Sequence, residues 1–241
     1  MIPKIIHYCW FGSQDKPVYA VECIETWRQY FPDFEIIEWN ESNTSFDHPF
    51  VRRAYNEKKW AFVSDFIRIQ KLNEHGGIYL DTDMYFLKKL PAGFLDQHAF
   101  LGAENKQSLS AGIIGSVPGS EFIRPIFAFY SGLSDEKFED VLIPKVLNKT
   151  VKGVVRPIEK SQQMAGTLVL AAPVFYPLPF KLKKFHWNKF VTKDTIAVHL
   201  WAGSWLTAPG SSAIKQNIAR VKYFISKWYV PQSFLDYARS H

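Results

Sequence analysis

Two aspartates separated by one residue, Asp81 and Asp83, are the side chains of this 241-residue sequence whose spacing points most directly to chemistry. They follow a short apolar run, residues 78–80, which is predicted to be a buried strand. Carboxylates so placed are suited to a hard divalent cation, whose coordination is often completed by substrate phosphates. Open α/β sheets bind their ligands beyond the carboxyl ends of strands, which is where this pair falls. Because most acidic pairs are simply solvated, the surrounding elements decide between the two interpretations.

An upstream segment, residues 60–75, has the pattern of a helix and carries Asp65 and Arg68 three positions apart, hence on one face. Apolar residues on that face predict that the pair is at least partly buried, and buried charges need partners. The alternative is an ordinary surface ion pair, which contributes little to stability. Gly76 and Gly77 are predicted to end this helix just before the strand.

Residues 60–90, read together, resemble the D-x-D sugar-binding region of the glycosyltransferases often called family 32. That group contains bacterial capsule and polysaccharide enzymes, fungal Golgi mannosyltransferases and the catalytic domains of glucosylating toxins. Residues 2–12 are similar to its first strand, and residues 197–205 to its C-terminal strand and loop. The resemblance implies an α/β fold of the GT-A type, with a mostly parallel central sheet flanked by helices.

The same resemblance implies a function. A hexose would pass from a nucleotide diphosphate sugar, with UDP-galactose or UDP-glucose favoured, to a glycan or a lipid-linked glycan in surface polysaccharide synthesis. The reaction would depend on Mn²⁺ or Mg²⁺ and would retain the anomeric configuration. Two rival classes are an aspartyl-phosphate phosphohydrolase, for which the chain lacks a later Asp-Asp pair, and a non-catalytic carbohydrate-binding module, which would not need the Asp65 and Arg68 helix.

The resemblance also assigns roles to residues. Asp83 is the primary metal ligand, Asp81 is shared between the ribose and the metal, and His199 is the third ligand. Asp65 and Arg68 hold hydroxyls of the donor sugar, Arg68 also reaches toward the diphosphate, and these two residues form the catalytic set with Asp81. The nucleotide-sugar site as a whole comprises Trp10, Asp65, Arg68, Tyr79, Asp81, Thr82, Asp83, Ser204 and Trp205, where Trp10 stacks on the base and the last two residues belong to a loop that closes over the diphosphate.

Two positions depart from the family pattern. Leu200 follows His199 where relatives have a second histidine, so a satisfied core histidine is the alternative for His199. Ala111 stands where many relatives carry an asparagine, whose polar contact would have to come from Glu104 or Asn105. His7, in the first predicted strand, is interpreted as a hydrogen-bonded strand histidine.

Composition bounds the remaining possibilities. With 47% hydrophobic residues the chain can bury a large core. We expect one GT-A domain over 1–241, divided into a nucleotide-sugar half (1–117), an acceptor side (118–210) and a basic C-terminal helix and tail (211–241). The net charge of +6 favours an anionic partner, although no nucleic-acid motif is present. Cys9 and Cys23 are expected to be small core residues rather than a disulfide framework.

The sequence has neither a signal-peptide pattern nor an apolar run long enough to span a membrane, so a cytoplasmic location is expected. Basic and aromatic residues cluster at 181–187 and 215–228. One interpretation is a solvated helix face. The other is peripheral contact with an anionic membrane at the inner face of the cell membrane, with Trp187, Phe224 and Trp228 as shallow anchors.

Predicted strands and helices alternate along most of the chain. Strands are expected at residues 2–10, 34–39, 78–80, 99–103, 112–117 and 195–201, and helices at 18–31, 50–58, from 60 onward, at 121–130, 138–147 and 211–228. In the first helix, Val21, Ile24 and Trp27 are expected to lie roughly on one face. Residues 155–180 contain four prolines and give no clear pattern.

Overall fold

A seven-stranded sheet organises the computed structural model, which describes residues 1–182 and 187–202. In chain order, its strands and helices are β1 (Ile5–Cys9), α1 (Val18–Tyr30), β2 (Glu35–Trp39), α2 (Pro49–Asn56), α3 (Trp60–His75), β3 (Gly77–Leu80), β4 (Met84–Phe86), β5 (Ala99–Ala103), β6 (Leu109–Ser116), α4 (Ile123–Ser131), α5 (Ile143–Thr150), β7 (Gln162–Met164), β8 (Thr167–Leu170), α6 (Ala172–Phe175) and β9 (Ala197–His199). Short 3₁₀ turns occur at Ala92–Phe94, Phe138–Asp140, Phe180–Leu182 and Trp187–Phe190.

The strand order of the large sheet is β2-β1-β3-β6-β5-β8-β7. Strands β2, β1, β3, β5 and β8 run in one direction, and β6 and β7 run against them. Strands β4 and β9 form a separate antiparallel pair. The predicted fold class, an α/β domain with a mostly parallel central sheet flanked by helices, is therefore confirmed.

The turn from α3 into β3 depends on the glycine pair that the sequence marks as a helix stop. Gly76 and Gly77 have φ angles of +66° and +93°, a region that residues with a Cβ atom rarely adopt. A Cβ on Gly77 would lie 2.6 Å from the carbonyl oxygen of Ile5. This close approach lets β3 pair directly with β1, and all four residues of β3 are buried.

Helix α1 covers one face of the sheet with a stripe that differs from the expected one. Ala20, Ile24 and Trp27 are buried, at the spacing of a helix face, whereas Val21 is 44% exposed. Val21 lies at the solvent-facing margin of that stripe, since the buried face is centred on Ala20, Ile24 and Trp27. Both cysteines are buried and free, as predicted.

Element boundaries differ from the sequence expectations where proline or short strands intervene. The helix expected at residues 138–147 is a 3₁₀ turn followed by α5, because Pro144 occupies the first turn of α5, where a missing N–H costs nothing. The first and last predicted strands are shorter than expected, since only Ile5–Cys9 and Ala197–His199 form ladders. The expected helix at 211–228 lies outside the described residues. No helix in the described part of the chain is long and apolar enough to cross a membrane.

Candidate active site

Strand order brings the D-x-D segment and His199 together. Asp81 directly follows β3, and Asp83 directly precedes β4, which pairs with β9 in a register that places Met84 opposite His199. The backbone N–H of Leu200 donates to the carbonyl oxygen of Asp83 at 3.0 Å. Residues far apart in sequence therefore meet because β4 and β9 form one short ladder.

Asp81, Asp83 and His199 form a cluster with the geometry of a cation site; we call it the cation cluster. One ligand atom from each residue can be chosen so that all lie within 4.8 Å of one another. Nε2 of His199 is 3.0 Å from Oδ1 of Asp83 and 4.0 Å from Oδ2 of Asp81. Nδ1 of His199 is buried and has no hydrogen-bond partner among the described residues, so the imidazole is not fixed from its other side.

The donor set of the cation cluster, two carboxylates and one imidazole, fits a first-row divalent metal. Imidazole and carboxylate both suit Mn²⁺, whereas Mg²⁺ favours oxygen ligands and water. The second oxygen of Asp83 accepts the backbone N–H of Ala202 at 2.9 Å. This hydrogen bond holds the Asp83 carboxylate in one orientation, as an outer partner of a metal ligand does.

Burial and charge act in opposite directions on the two innermost groups of the cluster. Burial favours the neutral imidazole of His199, but the carboxylates of Asp83, Asp81 and Glu104 together outweigh it and raise the pKa of His199 above its usual value. Burial likewise opposes ionisation of Asp83, yet His199 lowers the pKa of that carboxyl. Without a cation, the two groups therefore favour an imidazolium–carboxylate pair. A metal ion must displace the imidazole proton to bind.

Beside the cluster, Arg68 joins two carboxylates through one nitrogen. Its Nη2 lies 3.0 Å from Oδ1 of Asp65 and 3.2 Å from Oδ1 of Asp81. Its Nη1 donates to the carbonyl oxygen of Ala111 at 2.9 Å. The side chains of Asp65 and Arg68 are each 7% exposed, which confirms the prediction that the pair is buried and excludes the alternative of a surface ion pair.

The electrostatics of this network differ between its members. Burial raises the pKa of Asp65 to about 6, although Arg68 opposes that shift. The Asp65 carboxylate also accepts a backbone hydrogen bond from Ile143, the first residue of α5. Burial disfavours the Arg68 charge, but Asp81 and the other acidic neighbours raise the pKa of the guanidinium, which stays charged.

Two further residues of the predicted site, Tyr79 in β3 and Thr82 between the two aspartates, lie in different surroundings. The Tyr79 ring lies beneath the Arg68 guanidinium, 4.4 Å from ring centre to carbon, and is 2% exposed. The ring is covered by Arg68, and its contact in this structure is with that guanidinium. A direct role of Tyr79 in binding the nucleotide sugar stays a prediction. Thr82 is partly exposed between the two aspartates.

Trp10 lies just beyond β1, at the same edge of the sheet as Asp81, because β1 and β3 are parallel neighbours. Its ring is partly exposed, its Nε1–H donates to the carbonyl oxygen of Gln14 at 2.6 Å, and the ammonium of Lys16 lies 5.8 Å from the ring centre. A partly exposed, oriented indole at this edge is compatible with stacking on a base.

His7 has the structural role expected from its position in the strand. Its Nε2 lies 2.8 Å from the carbonyl oxygen of Gly76, and the indole N–H of Trp39 donates to Nδ1 at 3.1 Å. Burial lowers the pKa of His7 to about 4, so the ring is neutral at physiological pH. The interpretation of His7 as a hydrogen-bonded strand histidine is confirmed.

Two side chains around the cluster had no sequence signal. The Tyr176 hydroxyl accepts the N–H of Ile113 at 3.1 Å, and its ring lies 5.5 Å from that of His199. Trp201 lies closer still, with ring centres 4.1 Å from His199. Tyr176 comes from the proline-rich stretch that gave no clear pattern, which explains why it was missed.

Glu104, which the sequence offers as a substitute for the missing asparagine, does lie near the cluster. It follows β5, whose carboxyl end is at the same sheet edge as that of β3, and it is close enough for the charge of His199 to act on its pKa, which burial raises. Asn105 is exposed and donates to the Glu104 carboxylate at 3.1 Å. Ser204 and Trp205 lie outside the described residues.

Comparison with known proteins agrees with this site. Residues 17–105 match the family described as "Glycosyltransferase sugar-binding region containing DXD motif", a range that includes both aspartates and the Asp65–Arg68 pair. This segment is therefore similar to the sugar-binding region of DXD-type glycosyltransferases, in agreement with the predicted enzyme class. The finer expectation, a bacterial capsular enzyme, stays a prediction.

The relatives found by sequence include enzymes named for glycolipids. The chain is 28% identical over 189 residues to "Lactosylceramide 4-alpha-galactosyltransferase" of Mus musculus, covering 70% of this chain and 50% of the mouse protein. It is 31% identical over 137 residues to "Uncharacterized glycosyltransferase L373" of Acanthamoeba polyphaga mimivirus, covering 54% of each. It is 28% identical over 127 residues to "Mannosyl phosphorylinositol ceramide synthase SUR1" of Saccharomyces cerevisiae, covering 51% of this chain and 33% of the yeast protein. The chain thus spans about half the length of the mouse relative.

Among solved structures, a glycosyltransferase involved in the glycosylation of the major capsid of PBCV-1 is similar over 91% of this chain and 100% of that chain. The TM-score is 0.48 and the sequence identity is 15%.

Proposed function

We propose that this protein transfers a hexose from a UDP-sugar to the glycan of a lipid-linked acceptor, with Mn²⁺ as its cation. One observation carries the proposal: the two oxygens of Asp81 serve two different sites. Oδ1 is held by Arg68, beside Asp65, and Oδ2 faces His199 in the cation cluster. A single carboxylate therefore joins the buried ion pair to the cation cluster. A nucleotide sugar would need such adjacent sites, because its hexose and its diphosphate are directly bonded.

The cation cluster supports the diphosphate part of this proposal. Mn²⁺ held by Asp81, Asp83 and His199 would neutralise the charge that develops on a departing diphosphate. The chain's own contribution is to fix these ligands through the β4–β9 ladder and the Ala202 hydrogen bond before any substrate arrives. Such preorganisation is the usual source of electrostatic stabilisation in enzyme sites.

The Arg68 network supports the sugar part. Asp65 and Asp81 are both engaged by Arg68, so neither is an unpaired carboxylate ready to attack the anomeric carbon. This favours a front-face substitution assisted by the leaving phosphate, in which the protein acts by positioning. Retention at the anomeric carbon agrees with the name of the mammalian relatives, α-galactosyltransferases, because UDP-galactose already carries its sugar in α linkage.

The choice of a lipid-linked acceptor rests on the relatives. Two of them are named for ceramide lipids, lactosylceramide in mouse and phosphorylinositol ceramide in yeast. These names favour a glycolipid acceptor over a capsular polysaccharide. A cytoplasmic location at the inner face of the membrane remains our proposal for where the transfer takes place.

The two rival functions fit the site less well. A phosphohydrolase would need Asp81 or Asp83 as a nucleophile, yet Arg68 holds the first and His199 and Ala202 hold the second. A carbohydrate-binding module would have no use for a cation cluster joined to a buried Asp–Arg pair. The match to the DXD sugar-binding family also favours the transferase.

Thermal unfolding of the full chain tests the donor site. UDP with Mn²⁺ should raise Tm by roughly 5–10 °C at one hundred times the dissociation constant, since such saturation adds about 2.7 kcal/mol of stability. UDP alone and Mn²⁺ alone should each give a much smaller shift. No stabilisation by UDP or any UDP-hexose with Mn²⁺ would contradict the donor assignment.

A turnover assay then tests transfer. UDP-galactose and UDP-glucose are incubated with Mn²⁺, and the released UDP is measured with and without lactosylceramide in detergent micelles. A transferase should release UDP faster when the acceptor is present and should lose release when Mn²⁺ is chelated. Release that is indifferent to acceptors of every tested class, glycolipid and free glycan, would instead indicate a hydrolase.

A further inference from the structure

Two aromatic side chains, Phe180 and Trp201, lie next to the cation cluster and take no part in it; we call them the aromatic pair. Their ring centres are 5.4 Å apart and their planes meet at 78°, an edge-to-face contact. Trp201 in turn contacts the His199 ring, with centres 4.1 Å apart. The aromatic pair therefore begins at a proposed metal ligand and extends away from it.

Trp201 is held in an uncommon conformation. Its φ angle of +54° lies in the left-handed region, where a bulky residue is an outlier that the surrounding structure has to enforce. The indole N–H donates to the carbonyl oxygen of Leu178 at 2.6 Å, and the next residue, Ala202, donates to Asp83. The backbone that orients Asp83 thus also fixes the direction of the Trp201 ring.

Phe180 is the exposed end of the pair. Its side chain is 52% exposed, and it is the aromatic one among the four large hydrophobic residues that are exposed in the described part of the chain. Single exposed hydrophobic residues are ordinary. Val155, near the β7 edge of the sheet, is such a residue and is 69% exposed. Phe180 differs from it because its ring contacts Trp201, which in turn contacts the His199 ring of the cation cluster.

We propose that the aromatic pair is the acceptor subsite, where Phe180 and Trp201 stack on the apolar face of a pyranose ring. This inference rests on the proposed function, because the acceptor hydroxyl must approach the anomeric carbon of a sugar whose diphosphate is held at the cation cluster. A surface continuous with His199 is in the place that this approach requires. The ligand class is a neutral hexose with several C–H groups on one face, such as galactose.

The chemistry of the two rings suits that ligand. An aromatic face carries partial negative charge and attracts the polarised C–H groups of a sugar, a weak but directional contact. A ring fixed by its own hydrogen bond, as Trp201 is, loses little conformational entropy when it binds. Two rings at a steep angle would contact a sugar on one face and along one edge, which discriminates between hexoses that differ in an axial hydroxyl.

Saturation-transfer NMR with methyl β-D-galactopyranoside tests the subsite directly, because it detects sugar binding without requiring turnover. The full chain should transfer saturation most strongly to the protons on the apolar face of the galactoside. Phe180→Ala should reduce that transfer at least fivefold, and Phe180→Trp should retain it. Val155→Ala removes an exposed hydrophobic side chain elsewhere and should leave the transfer unchanged.

The Tm shift caused by UDP with Mn²⁺, measured on the same proteins, separates this inference from the proposed function. Phe180→Ala should keep the full shift, since Phe180 is not placed in the donor site. A galactoside signal that persists in Phe180→Ala, or is absent from the wild type, overturns the subsite while the shift with UDP still supports the donor site. Galactoside binding that depends on Phe180, in a protein that ignores UDP and Mn²⁺, supports sugar stacking on the aromatic pair but overturns both the transferase and the role of the pair as an acceptor subsite.

Discussion

Oδ1 of Asp83 lies 3.0 Å from Nε2 of His199, and this contact joins the D-x-D segment to the last described strand. The other Asp83 oxygen accepts the N–H of Ala202, so one carboxylate fixes both the His199 side chain and the backbone that follows it. Asp83 is consequently more than a loop-end carboxylate, since it is 9% exposed and makes contacts on two sides. Its replacement should affect cation binding first and local order second.

Asp83→Asn should abolish the stabilisation that Mn²⁺ confers together with UDP. The amide keeps the shape of the carboxylate and can still accept from Ala202, but it lacks the charge that the cation needs. Asp83→Ala should give the same loss with a lower Tm. Thermal unfolding with and without UDP and Mn²⁺ measures both effects, and Asp96→Ala, at an exposed carboxylate, is the control. A full response to Mn²⁺ in the Asn variant would overturn the metal assignment.

The first part of the site is predictable from the sequence because its signals are local. The apolar strand, the glycine pair and the Asp65–Arg68 spacing lie within residues 60–90, and the structure places the pair and Asp81 together as expected. The alternation of strands and helices also predicted the fold class. Local patterns of this kind predict contacts correctly because the helix, the glycine turn and the strand follow one another directly in the sequence.

The rest of the site could not be predicted, because it depends on pairings between distant segments. Tyr176 and Trp201 reach His199 through the position of α6 and the β4–β9 ladder, and neither carries a motif. The backbone carbonyl of Ala111 accepts from Arg68, a contact that no side-chain pattern reveals. Boundaries differ from the prediction where Pro144 lies in the first turn of a helix and where a strand pairs through only three residues with its partner.

Asp65→Ala should weaken binding of a UDP-hexose more than binding of UDP. In the proposed site Asp65 serves the sugar, whereas UDP depends on the cation cluster, which Asp65 does not enter. Isothermal titration of both ligands in the presence of Mn²⁺ gives the two affinities. Equal losses for UDP and UDP-hexose would show that Asp65 is structural, acting through Arg68 and the start of α5.

The stability contributed by Asp65 should fall as pH rises from about 4 to 6. Burial raises the pKa of Asp65 to about 6 from an ordinary value of 3.8, so in this window the folded protein keeps a proton that the unfolded chain has released. The unfolded state then binds fewer protons, and the free energy of unfolding decreases with pH. Urea denaturation of wild type and Asp65→Asn between pH 4 and 7 measures it.

In that series the wild-type free energy of unfolding, relative to Asp65→Asn, should decline up to about pH 6 and then level off. The variant cannot titrate at this position and so removes the contributions of all other groups from the comparison. A difference that rises with pH would mean that Arg68 lowers the pKa of Asp65 more than burial raises it.

Trp10→Ala should weaken UDP and UDP-hexose alike, by about 1–3 kcal/mol if stacking on the base is worth what it is in nucleic-acid complexes. The indole is partly exposed at the edge where β1 and β3 end, and its N–H is already engaged by Gln14. Trp10→Phe should restore part of the affinity, because the stacking face remains. Unchanged affinity in the Ala variant would make Trp10 a packing residue only.

Trp187 is not the shallow membrane anchor expected from its position among basic residues. Trp187 is 9% exposed and packs with Leu87, Leu178 and Val198, with its ring 5.9 Å from that of Tyr85. A side chain buried in this way cannot insert into a headgroup layer. The other proposed anchors, Phe224 and Trp228, and most of the basic positions lie outside the described residues.

Trp187→Ala should therefore lower stability and leave membrane contact alone. Removal of a buried tryptophan costs about 3–5 kcal/mol, which a thermal scan detects as a large drop in Tm. In contrast, Lys222→Glu combined with Lys227→Glu should reduce sedimentation with anionic vesicles at low salt, without changing the response to UDP and Mn²⁺, because each basic residue near an anionic surface adds about 1 kcal/mol. If the wild-type protein does not sediment with anionic vesicles even at low salt, the proposed membrane contact is wrong and a soluble acceptor is favoured.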